Sequence, residues 1–181
     1  MPNTPTVDRM RAVFDLIENT VEKRWGIPVR IADVPSPFTG DLDGASIAID
    51  HDNDIENALF ILVHLFGHTV QWNTSLRARQ IGTRRPTETW TPAELCELAA
   101  YEIEACQLSL ALLHSVGVTD LDQWLSDFAA CDAAYLMHFY STGEKRPFRE
   151  FWKAHSNLLQ PSEIPDFSPI SWISRFDGIV V

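Results

Sequence analysis

The sequence predicts an α+β fold in which a small sheet packs on a bundle of helices, with extra helices towards the C-terminus. Two short segments between residues 28 and 50 have strand-like patterns, and every long pattern after them has helical spacing. Strands followed only by helices are typical of this fold class. A chain of 181 residues, 45% of them hydrophobic, can bury the core of one domain. We therefore expect a single domain, 1–181, with its core over about 7–115 and a helical extension and tail over about 119–181.

Apolar spacing and capping residues predict the elements of the first half. Residues 7–25 carry apolar side chains at helical intervals, and Gly26 follows as a C-cap. Residues 28–34 and 45–50 predict two strands, because apolar residues alternate there in part with polar ones. A turn rich in Pro, Gly and Asp separates the two strands. A strongly apolar helix is expected over about 54–73.

The second half of the sequence predicts helices, which one polar segment interrupts. Residues 74–90 lack periodicity and predict a loop, after which Thr91 caps a helix that ends near residue 115. Another helix is expected over 120–140 and a short one over 147–158. The tail contains three prolines and is therefore expected to be extended. Three aromatic residues should hold it against the core: Phe167, Trp172 and Phe176.

Charge and cysteine content argue against several classes of protein. The formal net charge of −11 disfavours binding to nucleic acid or an anionic membrane, since both require a positive surface. The N-terminus is polar without a signal-peptide pattern, and the longest apolar run is too short to span a bilayer. Cys96, Cys106 and Cys131 form no Cys-x-x-Cys pair and are expected to be buried free thiols. These observations predict a cytoplasmic protein.

One turn of helix separates His64 from His68 within the apolar segment 58–72. This spacing places both imidazoles on one face of a helix, where they can bind one metal ion. A buried imidazole needs a partner for each ring nitrogen, and a divalent metal would serve both rings. Gly67 costs a helix about 1 kcal/mol relative to alanine. A close neighbouring backbone, or crowding at the metal, would explain its presence.

The next predicted helix offers a carboxylate as third ligand. Glu102 and Glu104 lie two residues apart and therefore differ by about 200° around a helix, so only one can face the histidines. Glu102 shares a face with Cys106 and borders apolar side chains, whereas Glu104 is expected to be a solvated charge. Zinc in reactive sites binds histidine and carboxylate ligands and keeps a position for water. The sequence therefore predicts one zinc ion on His64, His68 and Glu102.

The order of these elements resembles the minimal zincin core of the ImmA/IrrE-like metallopeptidase family. Three segments carry the resemblance: DGASIAID at 43–50, HLFGH at 64–68 and EIEACQLSLALL at 102–113. All three lie within roughly the first 115 residues. The resemblance implies zinc on the two histidines and on a glutamate of the second helix, which are His64, His68 and Glu102 here. It also implies cleavage of peptide bonds, often in a repressor protein.

Leu65 stands where the zinc-protease motif H-E-x-x-H carries its glutamate, and it is expected to lie beside the cleft. Loss of a general base typically costs about 10²–10⁴-fold in rate, and leucine cannot transfer a proton. Cys106 is a second departure, since the related proteins usually carry Asn or Asp there. We therefore expect a diverged, metal-binding zincin-like protein that lacks standard peptidase activity and acts on or with a protein or peptide partner.

Two alternatives remain open on the sequence. One is an active zinc-dependent hydrolase whose base lies outside the motif, on the helix over 120–140. The candidate bases on that helix are Asp127, Asp132, Tyr135 and His138. The other is a helical interaction protein without metal, in which the histidines are only hydrogen-bonded.

Overall fold

A computed structural model describes residues 5–35, 38–84 and 89–173, and over these residues it has the predicted α+β fold. The elements, in chain order, are α1 (Val7–Trp25), β1 (Val29–Ala32), β2 (Gly40–Leu42), β3 (Ile47–Asp50), α2 (Ile55–Thr74), α3 (Leu76–Gly82), α4 (Pro92–Ser115) and α5 (Asp122–Thr142). A single 3-10 turn follows at Phe148–Phe151. None of the helices in this part of the chain combines the length and the apolar content that crossing a bilayer requires.

The sheet has three strands, one more than predicted. β3 is central, with β1 parallel to it on one side and β2 antiparallel on the other. β2 lies in the segment that was expected to be a turn. Its three residues form a strand only through their pairing with β3, and for that reason the strand was not predicted. Its Gly40 lies close to α2. A Cβ atom at that position would come 2.6 Å from Ile61 Cγ2 and 2.9 Å from Leu65 Cδ1.

Three other expectations need correction. Residues 74–90 were expected to be a loop, but α3 forms there because Ser75 caps its N-terminus and Ile81 is buried. The short helix expected over 147–158 is reduced to the 3-10 turn. The three cysteines are free as predicted, but Cys96 is exposed, because it lies on the outer face of α4.

α2 forms the centre of the molecule, and its residues 58–72 are all buried. The helix begins where Asp54 accepts a hydrogen bond from the backbone N–H of residue 57. α4 crosses α2 closely at Gly67, where a Cβ atom would overlap the carbonyl group of Ala105. Ser109 on α4 also donates a hydrogen bond to the carbonyl oxygen of Val63, at 2.8 Å. The close neighbouring backbone expected at Gly67 is therefore present, and it brings α4 against the histidine face of α2.

We expect Gly67→Ala to destabilise the protein by about 1–3 kcal/mol, although alanine favours helix over glycine. The reason is that the new methyl group would have to displace the backbone at Ala105. Gly26→Ala is the control, because no atom lies within 4 Å of a Cβ there and its cost comes from the positive φ alone. Thermal and urea unfolding measure both. An unchanged stability of Gly67→Ala would contradict the close helix crossing.

The tail forms no helix or strand over residues 156–172, and it returns to the first half of the chain. The Phe167 ring lies 6.3 Å from the rings of Trp25 and Phe66. Trp172 donates a hydrogen bond from Nε1 to Asn73 Oδ1 at 3.1 Å, and its backbone N–H donates to the carbonyl oxygen of residue 43. Phe176, the third predicted anchor, lies outside the described residues.

Candidate metal centre

Three buried ligand atoms converge between α2 and α4. His64 Nε2 and His68 Nε2 lie 3.0 Å apart, and Glu102 Oε2 lies 3.1 Å from the first and 3.2 Å from the second. Ligand atoms around a tetrahedral zinc are about 3.3–3.6 Å apart, given metal–ligand distances of about 2.0–2.2 Å. The three predicted ligands are therefore brought together at a separation close to that of a zinc site, and all three are buried.

The imidazole of His68 is oriented by a hydrogen-bonded chain that leads to the surface. Gln71 donates from Nε2 to the carbonyl oxygen of Tyr101 at 2.9 Å and to Glu104 Oε2 at 2.6 Å. Both partners are acceptors, so the amide oxygen of Gln71 must face His68 Nδ1, 2.9 Å away. Nδ1 of His68 thus carries the proton and donates it. In the neutral ring the lone pair of Nε2 then points at the convergence point.

Glu104 therefore does more than the sequence suggested. It is exposed, as expected for a solvated charge, but it also fixes the amide of Gln71. Hydrogen-bond partners of this kind set the tautomer and basicity of a metal-ligating histidine. Residues 68 and 71 lie on one face of α2, three apart, which is the only sign of this contact that the sequence carries.

His64 has a different environment. Its Nδ1 lies 3.4 Å from Cys106 Sγ, and its ring stacks on Phe60 with centroids 5.2 Å apart. Burial raises the pKa of the Cys106 thiol well above its usual value, and the nearby carboxylates act in the same direction. The sulfur therefore remains a thiol beside the ring. Tyr101 packs on the other imidazole of the site: its ring stacks on that of His68, with centroids 4.4 Å apart.

The charge of the site is set by its carboxylates. Burial by itself would raise the pKa of Glu102, but the charge of His68 in its protonated form and the hydrogen bonds that protonated imidazoles donate to the carboxylate outweigh it. The pKa of Glu102 accordingly falls to about 2. An ionised carboxylate facing two imidazole nitrogens is a donor set that suits a divalent cation of the zinc type.

A second acidic group, and the fourth side chain near the centre, comes from α5. Asp132 Oδ2 lies 3.9 Å from His64 Nε2, and the residue is only 8% exposed. No hydrogen-bond partner for this oxygen occurs in the described ranges. Burial raises the pKa of Asp132 to about 7, opposed by His64 and reinforced by Glu102. Asp132 does not belong to the compact set whose ligand atoms all lie within 4.8 Å of one another, so it flanks the triad.

Comparison with known proteins gives no relative. No protein-family model, curated protein or solved structure matches this chain.

The other candidate bases on α5 lie elsewhere. Asp127 accepts hydrogen bonds from the backbone N–H groups of residues 155 and 156, so its carboxylate holds the start of the tail. His138 lies 3.9 Å from Glu144, near the end of α5. Tyr135 lines a cavity of about 540 Å³, to which Asp132 also contributes. Of the four, the structure brings only Asp132 to the histidines.

Leu65 does not lie where the sequence predicted. Its side chain is fully buried and lies next to Gly40 of β2, in the interface between α2 and the sheet. The described residues that line the cavity beside Asp132 do not include it. The leucine is therefore part of the packed core at this position.

We expect Gln71→Leu to weaken zinc binding by about 10–100-fold, the usual effect of removing a group that orients a ligating histidine. The change removes the only acceptor seen for the His68 Nδ1–H among the described residues. Glu104→Ala is the comparison variant, because it removes one acceptor of Gln71 and leaves the bond to His68. It should weaken zinc binding less. Competition with a chromogenic chelator measures both, and equal affinity of Gln71→Leu and wild type would rule out the orienting role.

Proposed function

We propose that the protein binds one zinc-type ion through His64, His68 and Glu102 and is a diverged relative of the zincin metallopeptidases. The observation that carries the proposal is the convergence of three buried ligand atoms within 3.0–3.2 Å. The orientation of His68 by Gln71 supports it, because the Nε2 lone pair is left to face the centre. When bound, such an ion acts as a Lewis acid that polarises a carbonyl group and acidifies water.

Zinc binding is tested by metal analysis and by thermal unfolding of protein purified without a His-tag. Zinc at about 100 times its dissociation constant stabilises a protein by about 2.7 kcal/mol, so its melting temperature should rise by about 5–10 °C. Glu102→Gln keeps the shape of the ligand and should lose this rise. Glu97→Gln is the control on the same helix, since Glu97 is exposed and pairs with Arg77. It should behave as wild type.

The competing interpretation is a network without metal. In it, His64 Nε2–H would donate to Glu102, and His68 Nε2 would accept a hydrogen bond or be protonated. Protein that contains no stoichiometric metal, and whose melting temperature does not respond to zinc, would establish this alternative. The protein would then be a helical interaction protein, and the proposed metal centre would be wrong.

A second candidate function is metal-dependent hydrolysis with Asp132 in place of the usual glutamate. The buried Oδ2 of Asp132, 3.9 Å from His64 and without a hydrogen-bond partner in the described residues, favours it. Asp132 would accept a proton from water as the water oxygen adds to an amide carbon. It would then pass that proton to the amide nitrogen as the C–N bond breaks, which gives a carboxylic acid and an amine. Chelator-sensitive release of amine from a peptide tests this candidate.

A further inference from the structure

A cavity of about 540 Å³ lies beside the candidate metal centre, a size within the usual range of about 300–1,000 Å³ for small-molecule sites. Seven of its sixteen described lining residues are aromatic: Phe38, Phe60, Phe128, Tyr135, Phe139, Tyr140 and Phe148. Aromatic walls bind apolar and aromatic groups through large contact areas. This cavity therefore suits a ligand with at least one such group.

A stack of rings connects the metal side of the cavity to a cation. Phe60 stacks on His64 at 5.2 Å, and Phe128 stacks on Phe60 at 4.6 Å. The guanidinium of Arg149 then lies over Phe128, 5.2 Å from its centroid. The two phenylalanines and Arg149 line the cavity, so its wall extends from a predicted metal ligand to a positive charge.

Charge is distributed unequally along this cavity. Among the described residues that line it, three are cationic, Lys145, Arg146 and Arg149, and one is acidic, Asp132. This is a local reversal in a chain whose formal charge is −11. Arg149 pairs closely with Glu56 at 2.8 Å, whereas Arg146 makes only a longer, exposed pair with Glu150 at 3.9 Å, so Lys145 and Arg146 contribute most to the positive rim. Cationic groups beside an apolar pocket favour ligands that are apolar and anionic.

We propose that this cavity binds a short N-acylated aromatic peptide acid, with its carboxylate at the Lys145–Arg146 rim and its aromatic side chains against the phenylalanine wall. The amide N–H of such a ligand would supply a donor for Asp132 Oδ2, for which the described residues contain none. The position of the amide at Asp132 rests on the proposed function. The anion preference of the rim does not, since it comes from residues outside the triad.

The test is calorimetric titration with N-acetyl-phenylalanyl-phenylalanine, in zinc-loaded protein and in protein treated with chelator. The same peptide with a C-terminal amide is the neutral probe, and N-acetyl-alanyl-alanine is the anionic probe without rings. We expect the aromatic acid to bind about 3–10-fold more tightly than its amide, which is the range that exposed charge pairs support. The alanine peptide should bind more weakly than both.

Variants separate the rim from the general charge of the protein. The double change Lys145→Glu and Arg146→Glu should remove the preference for the acid and leave binding of the amide unchanged. Lys23→Glu changes the charge on α1, away from the cavity, and should keep the preference. The melting temperature of each variant checks its folding.

The results also distinguish this inference from the proposed function. Equal affinity for acid and amide, or a preference that survives the double change, would overturn the inference. So would zinc binding without binding of any aromatic probe, which would leave the metal centre intact. Acid-selective binding in protein that takes up no zinc would support the cavity as a site for aromatic acids and refute the metal centre.

Discussion

Leu65→Glu is expected to destabilise the protein by about 3–5 kcal/mol, which lowers its melting temperature by roughly 10 °C. Leu65 is fully buried and lies next to Gly40 of β2, so a glutamate there would lose apolar contacts and carry a carboxyl group into a closed interface. Although this substitution completes the H-E-x-x-H motif, it should therefore not produce peptide hydrolysis. Thermal unfolding and peptide cleavage by the same preparation measure both effects.

Two control variants distinguish the effect of changing this position from the effect of introducing a glutamate. Leu16→Glu makes the same change at a residue of α1 that is 42% exposed, and it should shift stability by less than about 0.5 kcal/mol. Leu65→Met keeps volume and apolarity and should cost less than about 1.5 kcal/mol. A stable Leu65→Glu protein with chelator-sensitive peptidase activity would show that this side chain reaches the cleft after all.

Under the hydrolase candidate, Asp132→Asn is expected to keep zinc binding and to lower zinc-dependent amide hydrolysis by about 10²–10⁴-fold, the usual contribution of a general base. Asparagine has nearly the same shape but cannot accept and pass on the proton. The carboxylate of Asp132 lies outside the triad, with Oδ2 3.9 Å from His64 Nε2. Release of amine from peptides, measured with and without chelator, gives the activity, and metal analysis gives the occupancy.

Asp127→Asn is the matched control, because it makes the same change on the same helix at a second buried aspartate. That carboxylate binds the backbone of residues 155 and 156, so the variant should lose stability and keep its activity per folded molecule. A wild type that binds zinc but cleaves no amide would refute the hydrolase candidate. The protein would then be a metal-binding protein without hydrolytic activity.

The elements that could be predicted from the sequence are those whose signals are local. The five buried residues at helical spacing in α1, and the side-chain caps Asp54 and Thr91, depend on neighbours within one or two turns. The histidine pair and the inward side of Glu102 follow from the same periodicity. Their convergence required only that α2 and α4 pack together, and Gly67 gave a sign of that contact.

What could not be predicted depends on contacts between distant segments. β2 has three residues and becomes a strand only through its pairing with β3. The position of Asp132 depends on how α5 packs against α4, which no spacing within α5 determines. The position of the Leu65 side chain was predicted wrongly for a related reason. The motif indicates on which face of α2 residue 65 lies, but not which part of the fold packs against that face. Gly40 and the edge of the sheet fill that space.

The return of the tail to the first half of the chain has a consequence for the order of folding. Trp172 binds Asn73 and the backbone of residue 43, and Phe167 lies against α1 and α2. During synthesis, the apolar surface of Trp25 and Phe66 would stay uncovered until these late residues emerge from the ribosome. Until then the earlier segments would be partly folded with exposed aromatic side chains. A chaperone that recognises exposed aromatic groups would bind to the segments around Trp25 and Phe66 at this stage.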